Sequence, residues 1–248
     1  SDIIIQQAGL LTTIQDFGRS GYQKYGVPVS GSMDLYSMQL ANFLAGNPPE
    51  TPCFEISYTG PEIIFNKIAQ IAVCGADLKP KLNGRKIPMH ESVLVNALDV
   101  LSFESTKDGV RTYLAFGGGL QVEQTMKSCS TYIRASLGGK KGRRLIAGDE
   151  FNLLKVFDTF TYRKIPKNLR PKFKSHVTLR IIPGPEVKNL SVKGLSKFLS
   201  QIYTVNHQSD RMGIKLTGEP IELKNGSDIL SSAVTFGIFG IVYGVSLL

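Results

Sequence analysis

The chain of 248 residues is 42% hydrophobic and 20% charged, with 25 glycines and a net charge of +9. That composition excludes long-range disorder, and the length allows one large domain or two smaller ones without a disulfide or metal staple. The charge is uneven: residues 1–124 hold 9 Lys and Arg against 12 Asp and Glu, and residues 125–248 hold 20 against 8, a split that raises an acidic partner, an anionic substrate or nucleic acid.

In chain order, the N-terminus has no basic stretch leading into an apolar one, so no signal peptide is expected and the protein reads as cytoplasmic. Short strands are predicted at Ile3 to Ile5, Leu11 to Gln15, Phe54 to Thr59, Glu62 to Phe65, Ile71 to Cys74, Ser92 to Val95, Val100 to Phe103 and Arg111 to Phe116. Strands at this spacing with Gly, Pro and Asn between them suggest a barrel or a sandwich. Within Lys81–Ile87, Asn83-Gly84 marks a type I′ hairpin turn. A first helix is predicted where Tyr36, Leu40, Phe43 and Leu44 share a core face, capped by Ser32, with Asp34 in its first turn and Gly46-Asn47-Pro48 as its stop. A second helix is predicted from Leu195, Phe198, Leu199 and Ile202, again as a core face, after a strand from Val177 to Ile182. The stretch 163–174 holds six basic residues, two prolines and no acid, and reads as a linker between an N-terminal lobe (1–162) and a C-terminal lobe (175–248). From Ile229 to Leu248 there are 20 positions without a charge, long enough for a bilayer span of about 20 residues, with a G-x-x-x-G spacing at Gly240 and Gly244. Its Ser and Thr content and its β-branched character favour buried strands over a membrane anchor.

Three cysteines (Cys53, Cys74, Cys129) and three histidines (His90, His176, His207) lack any metal-ligand spacing, so reduced, packed thiols and no metal centre are expected. The densest cluster of functional residue types is Thr12 to Gly21, where Gln15, Asp16 and Arg19 bring an amide, a carboxylate and a guanidinium together. Gly26 to Asp34 follows and leads into a helix N-terminus, a place that with Arg19 suits a carboxylate or phosphate. The alternative is a turn-rich segment with an internal Asp16–Arg19 pair. Lys140, Lys141, Arg143 and Arg144 around glycines 138, 139 and 142 are candidates for anion binding or for a solvated turn. Neither this segment nor Phe116–Leu120 matches a nucleotide-binding loop. His207 to Gly213 packs His, Ser, Asp and Arg without a nucleophile elbow, so Asp210 and Arg211 read as a pair orienting a substrate or a lobe contact. Residues 127–180 carry 14 basic and 3 acidic side chains with interspersed aromatics, but no nucleic-acid-binding motif.

The string Thr12–Gly21, with Gly26–Asp34, Ala41–Asn47, Glu55, Gly60-Pro61, Gly75-Ala-Asp77, Tyr113–Gly118, Ser130–Tyr132, Leu137–Gly139, Arg180, Pro183–Pro185, Ser209–Gly213 and Ser231–Ile238, resembles the biotin-dependent carboxyltransferase-like family, also called allophanate hydrolase subunit 2, whose stand-alone members are the C-type subunits of 5-oxoprolinase. The resemblance implies a mainly β fold of cyclophilin-like barrel lobes with a few short helices, and a chain whose C-terminal lobe is truncated relative to the family. It implies a subunit that, with a B-type partner in a hetero-oligomer, uses ATP to cleave 5-oxoproline, a small-molecule amide, to glutamate. Family alternatives are biotin-dependent carboxyl transfer to urea, and a regulator that antagonises a kinase inhibitor. Under the first reading Asp16 and Asp34 are the catalytic candidates, Gln15, Arg19, Ser30 and Arg211 contact substrate, and Lys140, Lys141 and Arg143 attract anions. No nucleic acid and no membrane is expected as a partner. Cys129 stands where the family usually has arginine.

Overall fold

The computed structural model describes residues 1–106, 108–155, 159–224, 237–242 and 246–247. The chain divides into two compact units, Ser1–Val177 and Thr178–Leu248. The uncharged stretch 229–248 and the family-like Ser231–Ile238 lie largely outside the described residues. Among the described residues no helix is long and apolar enough to cross a membrane.

The first unit is three layers. One sheet has the order β11-β1-β4-β9-β6-β7, built from β1 (Ile3–Gln7), β4 (Glu62–Phe65), β6 (Lys81–Leu82), β7 (Arg85–Lys86), β9 (Val100–Ser102) and β11 (Glu150–Phe151). The other has the order β2-β3-β10-β5-β8, from β2 (Leu11–Gln15), β3 (Cys53–Ser57), β5 (Ala69–Gly75), β8 (Ser92–Val95) and β10 (Arg111–Phe116). All pairings are antiparallel. The expected barrel-like lobe takes the form of two open stacked sheets. Between them lie Ile3, Ile5, Ile63, Phe65 and Phe151 from one sheet and Ile14, Phe54, Ile56, Ile71, Val73, Leu114 and Phe116 from the other. Phe54 meets Phe116 and Phe151 edge-on, at 5.0 and 5.2 Å between ring centres. Asn83 (φ 50°) and Gly84 (φ 76°) make the expected hairpin turn.

The third layer is α1 (Leu35–Ala45) on the far face of the second sheet. Strand alternation sends Cys53, Ala72, Cys74 and Ala115 to that face, and side chains this small let a helix approach the sheet closely. Met38, Ala41, Leu44 and Ala45 pack against them. The expected core stripe is therefore corrected: Leu44 is buried, but Tyr36 and Phe43 are exposed. Periodicity alone could not choose the face, because α1 is apolar on both sides and the small sheet residues accept its small side. The cap is corrected too. Asp34, not Ser32, is the N-cap, accepting from the Ser37 amide at 3.0 Å and the Ser37 hydroxyl at 2.5 Å. At the other end Gln70 Nε2 and Ser92 Oγ donate to the Leu44 carbonyl, at 2.9 and 2.8 Å.

The basic stretch 163–174 packs with the first unit. Arg163 and Ser92 exchange backbone and hydroxyl hydrogen bonds, Ile165 is buried under α1, and its amide donates to the His90 carbonyl.

The second unit contains α2 (Val192–Ser200) and a four-stranded sheet, β12-β13-β15-β14, from β12 (Thr204–Val205), β13 (Leu216–Thr217), β14 (Ile241–Val242) and β15 (Ser246–Leu247). Two expectations fail here. Val177–Ile182 forms no strand among the described residues, and its apolar side chains are exposed. A strand needs a neighbour to hydrogen-bond, and none of the described strands pairs with it. Of the predicted α2 stripe, Leu199 is 64% exposed and Ile202, beyond the helix end, 92%, while Phe198 is half-buried with its ring against Tyr203. Among the described residues this unit buries only Ile221 as an apolar core residue, and α2 packs with Gly194 against the backbone of Glu222.

Candidate functional site

The site candidate forms where β2 ends. Asp16 Oδ1 accepts from the Gly18 amide at 2.7 Å, a turn closed by the aspartate itself. The loop that follows is laced to residues 29–32: the Arg19 amide donates to the Val29 carbonyl (2.7 Å) and the Ser32 amide to the Asp16 carbonyl (2.9 Å). Ser30 lies at φ 58°, a left-handed conformation uncommon for a serine. Its hydroxyl accepts from Arg19 Nη1 at 3.1 Å.

A third segment, 128–131, closes the cluster. The Thr131 amide donates to the Ile14 carbonyl, and the Asp16 amide donates to Ser130 Oγ at 3.1 Å. Asp16 also accepts from Ser128 Oγ (2.7 Å), from the Cys129 amide (2.6 Å) and from Ser130 Oγ. With Gly18 that makes four donors on one buried carboxylate. Arg19 is 1% exposed, and its Nη2 donates to the Ser130 carbonyl. Burial pushes its pKa below the ordinary arginine value, opposed by the nearby Asp16 charge. Gly138, at φ 68°, presses on this group: a Cβ there would stand 2.6 Å from Arg19 Nη2 and closer still to the Ser130 carbonyl oxygen. Gln15 is fully buried and donates to Thr13 Oγ1 (3.0 Å) and the Thr131 carbonyl (3.3 Å). Arg19 Nε and Gln15 Oε1 have no hydrogen-bond partner among the described residues. Burying such a group unpaired costs about 1–3 kcal/mol, so these are hydrogen-bonding positions that the packing of the loops does not use.

A second relay fixes the neighbouring loop. Glu55 is the one charged residue of β3, a buried strand. Its Oε2 accepts from Tyr113 Oη (2.8 Å) and the Met33 amide (2.9 Å), and Tyr113 Oη accepts from the Asp34 amide (2.8 Å). Burial, with Glu55 beside it, holds the Tyr113 phenol well above its ordinary pKa. The relay is thus a neutral phenol between a carboxylate and the N-terminus of α1.

The structure brings Gln15, Asp16, Arg19 and Ser30 together, and places Asp34 at the N-terminus of α1, bonded to Tyr113 and Ser37. Their partners Ser128, Ser130, Glu55 and Tyr113 are additions that the residue types alone do not single out. The usable signal for Glu55 is a lone carboxylate inside a mostly apolar strand; Ser128 and Ser130 carry none. The lysine–arginine turn is engaged internally. Arg143 forms a two-pronged pair with Asp149, both bonds 2.7 Å. Burial by itself would raise the Asp149 pKa, but that fork and the Ile146 amide outweigh it and hold it low. Lys140 donates to the Glu150 carbonyl (2.7 Å) and lies over the Phe151 ring, while Lys141 is exposed. Arg211 belongs to the second unit. Cys129 is in the main core, its thiol donating to the Val122 carbonyl at 3.6 Å. Burial, then Asp16, pushes that thiol up to about 11. Cys53 and Cys74 are free and buried.

A family model describing a carboxyltransferase domain, subdomains A and B, matches residues 25–244. The chain is 33% identical over 225 residues to urea amidolyase of Saccharomyces cerevisiae, covering 87% of this chain and 12% of that protein. It is 32% identical over 228 residues to the C-type 5-oxoprolinase subunit of Haemophilus influenzae, covering 91% of this chain and 71% of that protein. The crystal structure of Kluyveromyces lactis urea carboxylase superposes with a TM-score of 0.82 at 31% identity, over 90% of this chain and 21% of that one. Thus the chain spans about an eighth of the urea amidolyase it matches, but most of the 5-oxoprolinase subunit. The chain belongs to the carboxyltransferase domain family, subdomains A and B.

Proposed function

We propose that the protein is a subunit of an ATP-dependent 5-oxoprolinase complex, working with a B-type companion subunit in a cytoplasmic hetero-oligomer to open 5-oxoproline to glutamate. The carrying observation is the pair of unused buried groups, Arg19 Nε and Gln15 Oε1, beside a carboxylate that is already saturated. 5-Oxoproline carries a carboxylate, which an arginine donor suits, and a lactam N–H, which an amide oxygen suits. In this reading Arg19 and Gln15 bind, while Asp16 and Ser30 hold Arg19 in place. Asp34 sets the start of α1. Coverage of most of a stand-alone 5-oxoprolinase subunit of the C type supports it further.

ATP does not fit the described residues of this chain. The amide of Ser37 in the first turn of α1 is taken by Asp34, and Lys140 and Arg143 are taken by Glu150 and Asp149. In this reading the nucleotide belongs to another member of the complex. A second reading, biotin-dependent carboxyl transfer to urea or a related amide, is favoured by the structural likeness to urea carboxylase. One assay separates the two. The chain assembled with its companion subunits is given 5-oxoproline and ATP, and in parallel free carboxybiotin and urea. ATP-dependent glutamate release supports the first reading; urea-dependent loss of carboxybiotin without glutamate release replaces it with the second.

A further inference from the structure

α1 carries large apolar side chains on both sides, yet only one side is covered. Met38, Ala41, Leu44 and Ala45 face the sheet. Leu35, Tyr36 and Phe43 on the opposite side are 48%, 46% and 57% exposed. Tyr36 and Phe43, at i and i+7, share that outer face, while Leu40 beside them packs back against the covered cluster. A surface helix ordinarily puts polar residues there, and here Gln39 is the main one. The basic stretch 163–174 borders the same face. Tyr36 Oη donates to the Leu169 carbonyl at 2.5 Å, Leu169 is itself half-exposed, and the Arg163 guanidinium reaches the Gly46 end of the helix. Lys164 and Arg170 are drawn back to Glu91. Lys167 and Lys172 are exposed and make no ion pair among the described residues. The result is an aromatic centre with a cationic rim, the form of an interaction surface.

We propose that the outer face of α1, with Leu169, docks an amphipathic segment of an acidic partner protein whose carboxylates meet Arg163, Lys167 and Lys172. Charge decides the occupant. The rim stretch has six basic residues and no acid, and the whole chain is +9. A two-fold contact between copies would set this rim against itself, and juxtaposed like charges oppose association. The inference rests on the multi-subunit reading for the source of the partner, the B-type companion.

The test uses the purified companion subunit from the same organism, titrated calorimetrically into the full chain at roughly 50 and 300 mM salt. Variants are Phe43→Glu and the pair Lys167→Glu/Lys172→Glu, each checked to melt like the wild type. The expected result is wild-type binding that Phe43→Glu weakens about 100-fold. The lysine pair should weaken it about tenfold at low salt and flatten its salt dependence. Wild-type binding with both variants inside twofold overturns the surface and leaves the companion reading standing. No binding by the wild type overturns both. A wild-type dimer in sedimentation that Phe43→Glu splits, or wild-type binding to phosphatidylserine vesicles that Phe43→Glu abolishes, assigns the face to another occupant and overturns it too.

Discussion

Asp16 sits where four donors converge, from Gly18, Ser128, Cys129 and Ser130, so its first task is to hold three loops around Arg19. Removing it leaves a buried guanidinium without its nearest counter-charge, and Asp16→Ala should cost about 3–5 kcal/mol in a denaturant titration. Asp16→Asn should recover part of that, because an amide oxygen still accepts. His90 gives a separate expectation about pH. It is buried at φ 62° with Nδ1 unpaired among the described residues. Burial, then the Arg170 charge, lowers its pKa, opposed by Asp77. The unfolded ring keeps an ordinary pKa of about 6.5, so below that pH the unfolded chain takes up a proton that the folded chain refuses. Stability is therefore full above that value and is lost as pH falls towards the folded pKa. The melting temperature should fall as the pH is lowered below about 6.5, and His90→Asn, which tolerates the left-handed backbone, should shrink the fall. Gln15, Asp16 and Arg19 were legible because an amide, an acid and a guanidinium crowd five positions. Their partners at 128–130 were not, since a serine bonded to a residue more than a hundred positions away has no local pattern.

The strands were legible as elements because alternation, β-branched residues and turn signals agree along the chain. Leu11–Gln15, Glu62–Phe65, Ser92–Val95 and Arg111–Phe116 have the expected bounds. The helices were legible in place but not in orientation. α1 offers Tyr36 and Phe43 on one side and Met38–Ala41–Leu44/Ala45 on the other; only the sheet's small residues Ala72, Cys74 and Ala115 decide between them. The cap followed the same logic, since both Ser32 and Asp34 could serve and the Glu55–Tyr113 relay fixes the chain at Met33 and Asp34. Asp34→Ala should cost about 1 kcal/mol of stability, read by thermal or denaturant unfolding. Tyr113→Phe should cost more than a surface change, because it leaves Glu55 and the Asp34 amide short of a partner in a buried place.

The first unit carries both core clusters, whereas the second buries only Ile221 among its described apolar residues. Residues 1–177 expressed alone should therefore unfold cooperatively. The basic excess also reads differently at this scale. Of the cations in 127–180, Lys140, Arg143, Lys164 and Arg170 are engaged within the first unit, and the exposed remainder includes Lys167 and Lys172 beside the bare face of α1. The functional proposal turns on Arg19 holding the carboxylate of 5-oxoproline. Steady-state kinetics of Arg19→Lys in the assembled complex put that to the test, because lysine keeps the charge but loses the Nε donor. The expected result is a folded variant whose kcat/KM for 5-oxoproline falls about 100-fold, chiefly through KM. Unchanged kinetics in that folded variant would contradict it.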